Sequence, residues 1–199
     1  SFRAFRSIPG LGGPFTTKAQ SGGGVLIDWG VHYLDLILYV LGNPKIETAS
    51  CDAYCEMAKD MKSYKYRGMW AENTKDLNGT NDVDDYIAGH IRTEKASITF
   101  VGAWAQNIDK DEDFIDFLGD KAGARLTYGE SFVLYDGATL GSIVPEVEKN
   151  NQYLTENEAF VRAISTGEKG RSYIDNILPT ARLLDALYES AAKRREVVL

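Results

Sequence analysis

Two periods alternate along this chain. Between residues 25 and 41 the apolar side chains Ile27, Val31, Leu34, Leu38 and Leu41 recur at helical spacing and predict a helix with one apolar face. Gly42-Asn43-Pro44 supplies the stop, with glycine at the helix end and proline just after it. Elsewhere the period is two. Residues 2–8, 45–57, 84–93, 96–107, 114–118, 124–128 and 131–135 read as strands, the 84–93 and 96–107 pair joined across Glu94-Lys95. The helical period returns over 156–165, closed by Gly167, and over 172–193, where Ile177, Ala181, Leu184, Tyr188 and Ala191 share a face. Ser172 and Asp175 suit a capping box, with Pro179 favouring a later start. A short strand over 196–199 closes the chain.

This order of strand, helix, run of strands and two helices indicates α+β rather than a doubly wound parallel sheet. The chain reads as a single domain over 1–199, with a leading strand and loop over 1–20 and an irregular, polar insertion over 59–82. That insertion is long for a plain connection, which marks it as a functional loop or a mobile insertion.

A net charge of −7 argues against a nucleic-acid or anionic membrane surface. The apolar runs fall short of the roughly 18 residues that a membrane span needs. Cys51 and Cys55 are too few for a disulfide framework and lack metal-ligand neighbours, so they read as reduced thiols of a cytoplasmic protein. The chain begins on Ser1 rather than methionine, and Ser1 is expected not to be the native start.

The candidate chemistry lies where a glycine triplet runs into the first helix, Ser21-Gly-Gly-Gly-Val-Leu-Ile-Asp28-Trp-Gly-Val-His32-Tyr-Leu-Asp35. Asp28, His32, Asp35 and Tyr39 form a polar stripe beside the apolar face, at the rim of the buried surface. The dipole at the helix start favours an ionised Asp28, which in turn would orient and charge-balance His32. A histidine so placed can take a hydroxyl proton. The glycines let a ligand or another backbone approach closely. Spacing alone favours the plainer reading, a hydrogen-bonded rim histidine beside a first-turn aspartate. Asp35 reads as structural, as do the strand residue His90 and the strand-opening Asp84-Asp85. Trp104 reads as core or interface.

The segment from Lys18 to Leu36, with its GGG-x-L-x-D-x-G-x-H-x-x-D pattern, resembles the Gfo/Idh/MocA oxidoreductases. Asp84-Asp85-Tyr86, Phe117-Leu-Gly-Asp-Lys-Ala-Gly123 and Arg182-Leu-Leu-Asp-Ala-Leu-Tyr-Glu-Ser190 continue the resemblance in order. It implies the family's C-terminal domain only, a large, mostly antiparallel sheet with helices packed on one face. The other face would pair with a second copy in a homodimer or homotetramer. No G-x-G-x-x-G follows a strand in this chain. The resemblance implies NAD or NADP on a Rossmann domain outside it, with no cofactor or metal expected on the chain itself.

By resemblance, Asp28 and His32 are the catalytic pair, completed by a lysine from the missing domain. The implied activity is hydride transfer to or from a sugar, inositol or related polyol, with the isolated chain inactive. Lys18 is an expected substrate contact, and so are Tyr66, Trp70 and Asn73 in the 59–82 insertion, which fits no general family pattern but offers aromatic faces suited to sugar rings. Thr17 departs from the family, whose residue before that lysine is often acidic. Two other readings accompany this one, a non-enzymatic cofactor-binding regulator and an NAD-dependent glycosidase.

Overall fold

A computed structural model describes residues 1–67, 71–148 and 150–199. In chain order the elements are β1 (Phe2–Phe5), α1 (Lys18–Ser21), α2 (Val31–Val40), β2 (Ile46–Tyr54), β3 (Tyr86–Thr93), β4 (Ser97–Gln106) and β5 (Glu112–Leu118). They continue with β6 (Ala122–Thr127), β7 (Ser131–Asp136), β8 (Ser142–Ile143), α3 (Gln152–Thr166), α4 (Ile174–Lys193) and β9 (Val197–Val198). The chain divides into two compact units, Ser1–Ile115 with Thr180–Leu199, and Asp116–Pro179.

In the first unit the strand order is β5-β1-β4-β3-β2-β9. All of these pairs are antiparallel except β1–β4, which is parallel. The fold is α+β with a mostly antiparallel sheet, as expected. Its core follows from the alternation of the strands. Ala49, Cys51, Ile87, Ile91, Ile98 and Phe100 share one sheet face and are buried, as are the helix residues Leu34, Leu38, Leu183 and Leu187. The opposite face carries Ser50, Asp52, Tyr54, Tyr86, His90 and Thr99, half-buried or exposed. The same face also carries Ala88, Val101 and the buried Ala103, so it is mixed in character.

The β3–β4 hairpin turns where expected, its tight end held by Thr93 Oγ1, which accepts from Lys95 N–H (3.2 Å) and Ala96 N–H (3.0 Å). In the second unit β6, β7 and β8 form an antiparallel ribbon beside the end of β5. Arg125 grips Asp116 there through Nε and Nη2 at 2.6 and 2.5 Å. Helix α3 is capped by Asn151, whose side chain accepts from Leu154 N–H (3.2 Å), and ends on a left-handed Gly167.

Three expectations change. The helix over 25–41 opens with a π-helical turn, Leu26–Gly30, before α2 begins. A π turn takes one residue more than an α turn, so the apolar stripe slips by one position. Leu26 is fully buried in place of Ile27, which is 38% exposed. Helix α4 starts at Ile174, so Ser172 lies one residue short of the cap position, and Asp175 pairs with Lys169 instead. Pro179 stands inside α4 rather than delaying its start.

The stretch Lys18–Val40 also has the length and hydropathy of a membrane-crossing helix, contrary to the reading by apolar runs. It is broken at Gly22–Gly24, and Leu26, Leu34 and Leu38 are core residues.

Within the 59–82 insertion, residues 76–80 are tied to the 11–16 segment. Asp76 N–H donates to Leu11 O (3.0 Å) and Thr80 N–H to Gly12 O (3.2 Å). Thr16 Oγ1 accepts from Gly12 N–H (2.8 Å) and donates to Thr80 O (2.8 Å). A methyl group on Gly12, Gly13 or Gly79 would lie 1.8–2.1 Å from a backbone oxygen of the facing segment. This seam lines a concavity of about 380 Å³ that contains neither Asp28 nor His32.

Candidate functional site

The site is built in the first unit, at the start of the π turn. Gly22 closes α1 in the left-handed conformation that glycine adopts most readily (φ +81°). Gly23 and Gly24 then pass so close to neighbours that no side chain fits. A Cβ on Gly23 would lie 2.1 Å from the Tyr188 hydroxyl, and one on Gly24 would lie 2.0 Å from Asp84 O. The approach that the triplet permits is therefore to another part of the chain.

Asp84 fills that space. Its Oδ1 accepts from Gly24 N–H (2.8 Å) and Tyr188 OH (3.0 Å), and its Oδ2 from Leu26 N–H (2.8 Å). Its own carbonyl accepts from Val25 N–H (2.8 Å). A buried carboxylate thus takes the N–H groups that a phosphate would need, so the triplet does not fit a dinucleotide phosphate. Burial pushes the Asp84 carboxyl above its ordinary range, against the four hydrogen bonds that pull it down. Tyr188 is pushed up as well, by burial first and then by the Asp84 charge.

Held this way, the π turn presents Asp28 half-buried and His32 exposed, one turn on. Asp28 Oδ2 accepts a 3.0 Å hydrogen bond from the indole Nε1–H of Trp104. Burial raises the Asp28 carboxyl, and the Trp104 bond and the positive charge of His32 pull it back. Desolvation wins, so the carboxyl lies above its ordinary range rather than being held low by the helix start.

Asp35 behaves as expected. Its Oδ1 accepts from Thr180 Oγ1 (2.7 Å) and so ties α2 to α4. Beside the site, Tyr33 stacks on Phe2 with centroids 4.5 Å apart, and its hydroxyl donates to Asp113.

The other expected contacts are scattered. Lys18 opens α1 with its side chain exposed and its N–H on Asp82 Oδ1 (2.7 Å). Tyr66 stacks near Tyr64 (6.1 Å) with the Lys75 ammonium 4.8 Å from its ring centroid, and it donates to Glu72 (3.0 Å). Much of its aromatic surface is already engaged. Asn73 is exposed on the 3-10 turn Glu72–Thr74, and Trp70 lies outside the described residues.

Cys51 and Cys55 are free, their thiols pushed up by burial to about 12 and about 11, which makes them poor nucleophiles. Among the described residues no three His, Cys, Asp or Glu side chains cluster as metal ligands.

Sequence reasoning missed Asp84, Tyr188 and Trp104 as parts of this assembly. One signal was present for the first. A run of glycines leaves unshielded N–H groups that need an acceptor, and an acidic doublet opening a strand can supply one.

Residues 16–199 match the family model of the Gfo/Idh/MocA group, described as "Oxidoreductase family, C-terminal alpha/beta domain". The chain is 30% identical over 206 residues to the D-glucoside 3-dehydrogenase of Escherichia coli strain K12, covering 99% of this chain and 55% of that protein. Among solved structures it resembles the aldose-aldose oxidoreductase of Caulobacter crescentus complexed with glycerol, with TM-score 0.73 and 18% identity, over 100% of this chain and 56% of that one. It also resembles a levoglucosan dehydrogenase in complex with NADH and levoglucosan, with TM-score 0.71 and 16% identity, over 100% of this chain and 57% of that one. The chain spans about half the length of the relatives it matches.

Proposed function

The chain belongs to the Gfo/Idh/MocA oxidoreductases as their C-terminal alpha/beta domain, and on that premise we propose that it is the substrate half of an NAD(P)-dependent sugar or polyol dehydrogenase. The observation that carries this reading is the Asp28–His32 pair at the rim of the unit, its carboxylate held by a buried indole. The nicotinamide, when bound, supplies the hydride acceptor or donor. The chain's own residues handle the proton. His32 takes it from the substrate hydroxyl as the carbon is oxidised and returns it in the reverse direction. Asp28 balances the imidazolium charge. Lys18, Tyr66 and Asn73 remain proposed sugar contacts, with Lys18 the readiest because its side chain is exposed.

The relatives' names support glycosides and aldoses as the substrate class. The test is a panel of glycosides, aldoses and inositols assayed with NAD and NADP on the full-length protein. His32→Ala and Asp28→Asn are expected to lower kcat at least about a hundredfold, the lower end of the range for a positioned acid–base group. The 199-residue chain alone is expected to show no turnover. Unchanged kcat in His32→Ala, or turnover by the chain alone, would sink the reading.

We also propose that two copies pair across the open sheet face, in a cytoplasmic protein. Tyr54 and Tyr86 meet on that face with centroids 5.9 Å apart, and the buried His90 Nδ1 has no partner among the described residues. Ala88→Glu on the same face should dissociate the oligomer in sedimentation velocity. A wild-type monomer would refute the pairing.

A further inference from the structure

Trp104 is among the largest side chains of the first unit that are wholly buried, at 1% exposed. An indole has one donor and no acceptor. Here that donor is directed at the Asp28 carboxylate (3.0 Å) rather than at a backbone carbonyl. The residue itself is pinned on both sides. Its N–H donates to Asp85 O (3.0 Å), and its carbonyl accepts from Ser7 N–H (2.9 Å). The two ends of the Asp28 segment therefore answer to one dipeptide. Asp84 grips the backbone of Gly24, Val25 and Leu26, while Asp85 fixes the strand residue whose ring holds the Asp28 side chain.

We propose that Trp104 is a positioning residue of the acid–base pair, its indole N–H fixing the orientation of the Asp28 carboxylate and reserving Oδ1 for the work with His32. This rests on the acid–base reading above. A donor fixed on one carboxylate oxygen favours the ionised form, so removing it should raise the pH at which Asp28 becomes active. His32 is the charged group acting on Asp28.

Trp104→Phe keeps most of the packing and removes the donor. In the full-length protein it should move the limb of the kcat/KM–pH profile set by Asp28 to higher pH. It should also lower kcat roughly tenfold, as expected from one lost hydrogen bond to a charged group. KM should stay within about twofold, since Trp104 has no contact with substrate in this reading. In an Asp28→Asn background the same change should cost almost nothing more. An equal cost in both backgrounds, or an unmoved limb, would overturn the proposal.

A second readout needs no turnover. In full-length protein labelled with 15N-tryptophan, the indole resonance that Trp104→Phe deletes should titrate with pH, and Asp28→Asn should stop it. Where Trp104→Phe does not fold, Asp28→Asn alone should displace one indole resonance and remove its titration. An indole signal indifferent to pH and to Asp28→Asn refutes the link even if the enzyme is active. A titrating indole in a protein with no turnover sustains the link and refutes the proposed function.

Discussion

Two glycine-rich segments of the first unit look alike in sequence and do opposite things. Gly22–Gly24 closes on side chains, the Asp84 carboxylate and the Tyr188 hydroxyl, and so aims Asp28 and His32. Gly10–Gly13 closes on backbone oxygens and the Thr74 hydroxyl of the 71–80 segment, with Thr16 Oγ1 bridging the seam. Glycine permits close approach in both places, and the partner decides the outcome. A buried carboxylate makes the first a charged clamp on the site. Carbonyl, amide and hydroxyl groups make the second an uncharged join that holds an insertion. The Asp84-Asp85 doublet is divided between them. Asp84 serves the clamp, whereas Asp85 Oδ2 accepts from Glu56 N–H (2.9 Å) and Met57 N–H (2.7 Å), at the root of the insertion.

The sharpest way to break the contrast is Asp84→Ala. It leaves two buried N–H groups and a buried hydroxyl without their acceptor, at a cost of about 3 to 5 kcal/mol. Urea denaturation should show this loss, with turnover falling in step.

Asp85→Asn should act through pH instead. Burial raises the Asp85 carboxyl to about 6, and its Oδ1 is buried without a partner among the described residues. The folded state therefore binds this proton more tightly than the unfolded chain does. Its contribution is full below the unfolded value near 4 and is lost as pH rises through 6, on the order of 3 kcal/mol. Denaturation midpoints of wild type and Asp85→Asn should diverge across that window, and parallel curves would refute the assignment.

Gly24→Ala and Gly12→Ala form a matched pair, each costing about 2 kcal/mol through overpacking. The first should lower kcat. The second, at φ +81°, should leave kcat nearly unchanged and expose the 71–80 segment to limited proteolysis. Equal loss of kcat in both would erase the distinction. Thr180→Val is the smallest change. It should cost about 1 kcal/mol for the lost bond to Asp35, with kcat intact.

The elements were legible where the pattern is local. The β3–β4 turn at Glu94-Lys95, the stop at Gly42 and the spacing of Leu34 and Leu38 all rest on neighbours a few residues apart. The π turn was not legible, because its apolar residues fit an α-helix equally well until the core selects Leu26 over Ile27. The pair Asp28 and His32 was visible as a stripe and gained meaning from the family pattern. The clamp was not visible, since Asp84 meets Gly24 and Leu26 from 60 and 58 residues away. Trp104 reads as core from its strand, and it is core. Only packing shows that its single donor reaches Asp28 from 76 residues away.

The Tyr188–Asp84 bond spans 104 residues and the Thr180–Asp35 bond spans 145. A ribosome delivers the glycine triplet before Asp84, and Asp84 well before Tyr188. Until then the Asp84 carboxylate lacks one of its donors and the π turn has no tether to α4. The site is thus completed only once α4 has been made, and truncation within α4 would leave a product that cannot mature even though every residue of the GGG-x-L-x-D-x-G-x-H pattern is present.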